Sequence, residues 1–278
     1  LTDSTCDIPE DLVEQYHIQI VPQYILWGDD VFLDRVDLSP IDFYQRFITD
    51  HQKPTSSQVT VPDFLAAIER ARNDGASGVL IITISSAMSG TYQAAITAAE
   101  QTSIPVTVFD AKGPTMSLGW QVLAAARARD KGAGMVEIIE KMAKIRQKMV
   151  QIVAMESLEH LEYGGRIGDA AKWVGTLLNV KPVVSINHET GRVEPAGLTR
   201  TNQGMLKMLV KKFFEKIGPS KALRIAVLHG NVLEEAQKLA NRICEDYNPL
   251  ELLINITGPV LGINTGPGAL ALCGYAEE

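Results

Sequence analysis

Cysteine is scarce in this 278-residue chain: Cys6, Cys244 and Cys273 are odd in number and far apart. They offer neither a disulfide framework nor a CxxC metal or redox pair, and a reducing cytoplasm is the expected compartment. No apolar run approaches the roughly 18 residues that begin to span a bilayer, and no charged segment followed by an apolar one precedes the fold. The chain opens on Leu1 and runs at once into TDSTCDIP, so the first strand is expected to extend upstream. Positive charge is in deficit, 26 Lys and Arg against 33 Asp and Glu for a net −7. General affinity for nucleic acid needs clustered Lys and Arg to neutralise phosphates, and is disfavoured here. The only basic cluster, Lys207, Lys211, Lys212 and Lys216, falls on an expected helix, where a solvated face is the ordinary reading.

Catalytic signatures are missing too. A hydrolase elbow needs GxSxG, but Ser89 sits in AMSGT with Ala at the first glycine position. Neither the P-loop pattern nor GxGxxG occurs, and none of the five histidines stands in a motif. Carboxylates, imidazoles and thiolates are not grouped at metal-ligand spacing, so no metal or other cofactor is expected. The DST of residues 3–5 lacks the DxDxT spacing of an aspartyl-phosphate loop because position 5 is Thr. Asp3, Asp7 and Asp110 could converge at strand ends, but Asp7 reads as a helix cap before Pro9. Asp3 reads as a loop carboxylate tied to backbone N–H groups.

What is present is a regular alternation. The length exceeds one ordinary core, which predicts two domains, 1–150 and 151–278, and two domains imply a cleft between or within them. IQIVPQYILWGDDVFLD reads as a hairpin turning at Gly28 to Asp30. Helices are expected over SPIDFYQRFIT, PDFLAAIERARNDG, SGTYQAAITAAEQTS and SLGWQVLAAARARDKGA. The strands GVLIITI and PVTVFDA stand between them. That order predicts an α/β fold whose first domain is a three-layer parallel sheet. After residue 150 the pattern gives QIVAMES as a strand and LEHLEYGGRIGDAAKWVGTLLN as two helices around a Gly-Gly break. An antiparallel pair follows around HETG, and then further helices and strands, a second α/β unit with a mixed sheet.

Three neutral polar segments remain at loop positions: TSSQ at 55–58, SSAMSGT at 85–91 and NTG at 264–266. The second packs four hydroxyls and a glycine into seven positions directly after a buried strand. Ligands gather at such strand ends in parallel sheets. Hydroxyls and free helix N–H groups suit holding one small anion, whereas capping a helix and satisfying a turn is the structural alternative; spacing leaves both open.

TDSTCDIP, TSSQVTVPDF, ISSAMSGTYQAA, LEYGGRIGDAAKWVGTLLNVKPVVSI and GPVLGINTGPGALAL together resemble the DegV family of bacterial fatty-acid-binding proteins, from the first residues to the last. The resemblance implies a two-domain DegV-like fold that binds a long-chain fatty acid, buries its acyl tail in an apolar tunnel and presents the carboxylate to a fatty acid kinase. This chain would then be a carrier and no enzyme, with the fatty acid as its ligand. The carboxylate contacts would fall on Ser56, where threonine is common, and on Ser89. Ser57, Thr91 and Asn264 would be nearby, with Arg166 of GGRI at the head-group end and Arg200 as a partner contact. Two positions depart from the pattern. Asn264 replaces a histidine of the carboxylate network, and Val59 stands where proline is usual.

Elementary energetics agree with such a site. Each methylene of a tail gains roughly 0.8 kcal/mol on leaving water, so an oily interior supplies affinity. Neutral donors favour the ionised form of a carboxylate and supply orientation. The alternative function is a hydrolase or phosphatase working at the same cleft through Ser89 or Asp3.

Overall fold

The computed structural model describes residues 1–173, 180–220 and 222–277. The first half contains β1 (Thr2–Asp3), a 3₁₀ turn (Ser4–Cys6), α1 (Glu10–Gln15), β2 (Ile20–Val21), β3 (Tyr24–Trp27), β4 (Asp30–Leu33), α2 (Pro40–Thr49) and β5 (Thr55–Ser57). It continues with α3 (Val61–Asn73), β6 (Val79–Thr83), α4 (Thr91–Ala99), β7 (Val106–Asp110), α5 (Met116–Asp130) and α6 (Met135–Lys148). Strands β2, β1, β6 and β7 pair in that order as an all-parallel sheet. The expected hairpin is β3 and β4, joined across Gly28 and Asp29. It gains β5 as a third strand from a segment that reads as a polar loop.

The second half contains β8 (Val150–Ala154), α7 (Glu159–Tyr163), β9 (Lys181–Asn187), β10 (Arg192–Thr199), α8 (Asn202–Ile217), β11 (Leu223–His229) and α9 (Leu233–Tyr247). It ends with β12 (Glu251–Ile256), α10 (Pro259–Thr265) and β13 (Leu270–Ala276). Its six strands run in the order β10-β9-β8-β13-β11-β12, and only β11 and β12 are parallel, so the sheet is mixed. The helix expected over GDAAKWVGTLLN begins as a 3₁₀ turn, Gly168–Trp173, and its remainder falls on residues 174–179, outside the described residues.

Helix ends follow their capping chemistry. Ser39 accepts a hydrogen bond from the Asp42 N–H with Pro40 in the first turn, and Thr60 and Asp63 form a reciprocal capping box on α3. The cap expected at Asp7 does not form. Pro9 precedes α1 without a side-chain bond, while Asp7 lies in the left-handed region at φ 48°. Its carboxylate is drawn instead to Arg35 Nη2 at 2.5 Å and to the Gly258 N–H at 2.9 Å. Arg35 also reaches the Ile256 carbonyl, and Asn255 donates to the Asp7 carbonyl, so this clamp fixes the turn that leads into α10. A second carboxylate beside it, Asp34, is buried with both oxygens unpartnered among the described residues, and burial pushes its pKa up to about 7.

Three apolar layers organise the molecule. α3 and α4 cover one face of the parallel sheet around Phe64, Ile68, Ile81 and Ala95. α8 and α9 cover one face of the mixed sheet around Leu209, Phe213, Ile225 and Leu239. Between the two sheets lies α5, buried along almost its whole length, and its core includes Phe109, Trp120, Val153 and Ala271. A helix buried on nearly every side belongs where both sides are protein, and its buried Ser117 and Gln121 find hydrogen-bond partners there.

Candidate functional site

The face of the mixed sheet that looks toward the first half does not close completely. A cavity of about 300 Å³ opens beside the carboxyl end of β6 and runs into the interior along β8. Strand alternation builds its wall, because residues two apart share a face. Met155, Val153 and Gln151 project into it from β8 and the residue beyond, Val184 and Ile186 from β9, Ala269 and Ala271 from the start of β13, and Leu228 from β11. Register puts Val184, Val153 and Ala271 side by side, with Leu228 next to Ala271. From Met155 to Gln151 the strand advances about 13 Å, enough for a chain of many methylenes.

Ser56, Ser57, Gln58, Ser89, Arg166 and Asn264 line the outer end. Ser56 and Ser57 come from β5, whose pairing with β3 sets Ser56 opposite Ile25. Ser89 ends the loop that follows β6. The Thr91 N–H donates to its Oγ at 3.3 Å, and the two hydroxyls lie 2.9 Å apart. Thr91 itself is buried and does not line the cavity; it holds Ser89 and takes a bond from the Val59 N–H. Arg166 donates to the Met88 and Gly164 carbonyls, which pins the exposed guanidinium at the rim. Asn264 donates to the Val260 carbonyl, and its Oδ1 is buried with no partner among the described residues. A Cβ on Gly164 would lie 2.1 Å from that oxygen, so a larger residue there would displace the Asn264 side chain. Arg200 is exposed beyond β10 and does not line the cavity.

The hydroxyl cluster after β6 thus divides its labour. Ser85 is buried and donates to the Gly191 carbonyl at 2.8 Å, tying this loop to the tip of the β9–β10 hairpin. Gly191 has φ +74°, and a Cβ there would lie 2.0 Å from Ser85 Oγ. The Ser86 N–H points at the Asp110 carboxylate. Ser89 alone of the three serines lines the cavity. Asp3 is tied to backbone as expected, accepting from the N–H groups of Ile84 at 2.7 Å and Thr5 at 3.1 Å. The Thr5 hydroxyl and Gln23 amide bind it as well, yet burial still raises its pKa. Among the described residues, no three His, Cys, Asp or Glu side chains are grouped to hold a metal ion.

Residues the sequence did not single out complete the lining: Gln58 and Met88 near the rim, Gln23 and Thr257, and Thr115 and Gln151 at the inner end. For Gln151 a signal exists, a lone amide in an otherwise apolar strand, but its neighbours across the sheet are set only by register.

In class this is an α/β protein of two larger sheets and one small one, with a largely apolar cavity whose outer end carries neutral hydrogen-bonding side chains and one arginine. The model of the DegV family, described as "Uncharacterised protein, DegV family", matches residues 1–277. The chain belongs to the DegV family. A DegV domain-containing protein of Halalkalibacterium halodurans is 30% identical over 279 residues, covering 100% of this chain and 98% of the relative. Among solved structures, the fold is similar to a fatty-acid-binding DegV family protein from Thermus thermophilus, at TM-score 0.90 and 29% identity over 99% of this chain and 98% of that one. It is equally similar to DegV, a fatty acid binding protein from Bacillus subtilis, at TM-score 0.91 and 27% identity over the same shares.

Proposed function

We propose that this chain is a carrier of long-chain fatty acids, holding the carboxylate at the mouth and the tail in the tunnel. One observation carries the reading: a single cavity joins Ser56 and Ser89 to an apolar interior walled by Val153, Val184, Leu228 and Ala271. Ser89 is suited to be the principal donor: the Thr91 N–H fills an acceptor position on its Oγ, and with the Thr91 hydroxyl donating across the 2.9 Å contact its own proton would serve the ligand. Ser56 and Ser57 supply further hydroxyls, and Arg166 adds positive charge at the rim without needing to touch the ligand. Several such bonds keep a carboxylate ionised while partly desolvated. The fatty-acid-binding relatives of the same fold support this assignment.

The carboxylate so held faces the surface, where a fatty acid kinase bringing its own ATP would act on it. Arg200, exposed and outside the cavity, is the residue we assign to contact with that kinase. The carrier is taken to work in the cytoplasm, as two units meeting near residue 150. A hydrolase at this cleft has less support: Ser89 bonds Thr91 rather than an imidazole, and Asp3 is buried among four donors.

Mass spectrometry of the purified protein after denaturation tests the proposal. A fatty acid near one equivalent is the expected result. A ligand-free protein that hydrolyses a simple ester or phosphate, and loses that activity in Ser89→Ala, would replace the carrier with the enzyme.

A further inference from the structure

The tunnel does not end in oil. Gln151, Thr115 and Ile186 line its inner end, and the first two are buried. Gln151 Nε2 donates to Thr115 Oγ1 at 2.9 Å, and Gln151 Oε1 accepts from Ser117 Oγ at 2.5 Å. Ser117 Oγ in turn lies 2.8 Å from His188 Nε2. Ser117 Oγ also lies 3.4 Å from Cys273 Sγ, and its bond to His188 takes its direction from the imidazole tautomer. Burial, and then Lys216 and Arg146, push the His188 pKa down to about 4, so the imidazole is neutral.

The two Gln151 bonds leave two donors unused. The second N–H of Gln151 and the hydroxyl proton of Thr115 have no partner among the described residues. An alkyl terminus seated against them would leave both unpaired, and unpaired buried donors are costly. Behind the same wall Gln151 and Ile186 also line a second cavity of about 520 Å³, bounded by Lys112, Arg146, His188 and Lys216. Glu189 also lines it and Lys112 pairs with Asp110 at 3.0 Å, so Arg146 and Lys216 leave its net charge positive, which favours an electron-rich group at the tunnel end. Thr115 adds a third sign. Its backbone is at φ +54° and ψ −137°, which is strained for a β-branched residue. Such strain persists where the surroundings enforce it and clusters at binding sites.

We infer that the inner end of the tunnel recognises an oxygen atom on the far end of the bound chain, so the preferred ligands are fatty acids carrying a terminal hydroxyl or carbonyl. Gln151 Nε2 and Thr115 Oγ1 are the donors to that oxygen, with Ser117 and His188 as positioning residues that fix the amide's orientation. The inference rests on the carrier reading above and names the ligand class of the same site.

Displacement of a fluorescent polyene fatty acid tests it, using saturated acids of graded length and their terminal-hydroxyl counterparts. At the length that reaches Gln151, the hydroxy acid is expected to bind about tenfold tighter than its parent, the equivalent of ~1.4 kcal/mol. Gln151→Leu should abolish or reverse that preference, read as the ratio of the two affinities in the same variant. Thr115→Gly, which relaxes the positive φ as it removes the hydroxyl, should reduce the preference in a stably folded protein. Parent acids that displace the probe while hydroxy acids are weaker at every length would overturn the inference and leave the carrier reading intact. A preference that survives both substitutions would overturn it too. Failure of every acid to displace the probe would instead remove the carrier reading itself.

Discussion

At the mouth of the tunnel, polar side chains sit on short or irregular segments and keep capacity in reserve: Ser56 and Ser57 on a three-residue edge strand, Ser89 on a loop, Asn264 near the end of a seven-residue helix. At the inner end they are locked into regular structure, Gln151 on the second position of a central strand and Ser117 in the first turn of a buried helix. Loops tolerate solvent and movement, so a head group can enter, bind and be reached there. A strand in mid-sheet offers fixed geometry. In the proposed carrier, this contrast would give exchange to one end and measurement to the other.

Blocking the path between them should have the largest effect. Ala271→Phe places a ring midway, beside Val153 and Leu228, and excludes roughly four methylenes at ~0.8 kcal/mol each, about two-hundredfold in affinity. Calorimetric titration with a saturated acid checks this, and near-wild-type melting separates it from misfolding. Removing the mouth's donors comes next. Ser56→Ala and Ser89→Ala should each cost about tenfold, since a hydrogen bond to a charged group contributes ~1.5 kcal/mol or more, and the loss should shrink for an uncharged fatty alcohol.

Two buried titrating groups sharpen the comparison through opposite pH dependence. Asp34, beside the clamp that holds α10 at the mouth, has a folded pKa of about 7, above its unfolded value near 3.8. Its contribution is therefore lost as pH rises between those values. His188, behind the inner end, is depressed to about 4 from 6.5, so its contribution is lost as pH falls through that window. Melting temperatures followed from pH 4 to 8 should fall less on the alkaline side in Asp34→Asn, and less on the acid side in His188→Gln. The smallest effect is expected from Arg166→Gln. The guanidinium is exposed and bonded to carbonyls, so affinity should drop less than about threefold and the drop should fade in high salt.

Much of this was legible in the sequence because it depends on local pattern. The parallel strands β6 and β7 read as short β-branched runs, and the Ser39 cap and the Gly28 turn follow from residue type. Ser89 was legible as a hydroxyl at a strand's carboxyl end. β13 was not, although it lies between β8 and β11 in the middle of the mixed sheet. LALCGYA contains a glycine and is flanked by another Gly-rich turn, and its strand character comes from two neighbours far away in sequence. β5 was hidden for the converse reason: TSS has no apolar alternation and is a strand only because β3 offers it an edge. Asp7 shows local chemistry overruled, its capping role lost to an arginine 28 residues away. The cavity itself depends on register across four strands, which no single segment encodes.

The hydroxyl of Ser85 meets the backbone of Gly191 with no room to spare. A single added methyl at position 191 would act as a wedge, doubly unwelcome because the left-handed backbone resists it as well. Driven between the hairpin tip and the segment that carries Ser89, it would jam the door from the hinge side without altering any group on the threshold.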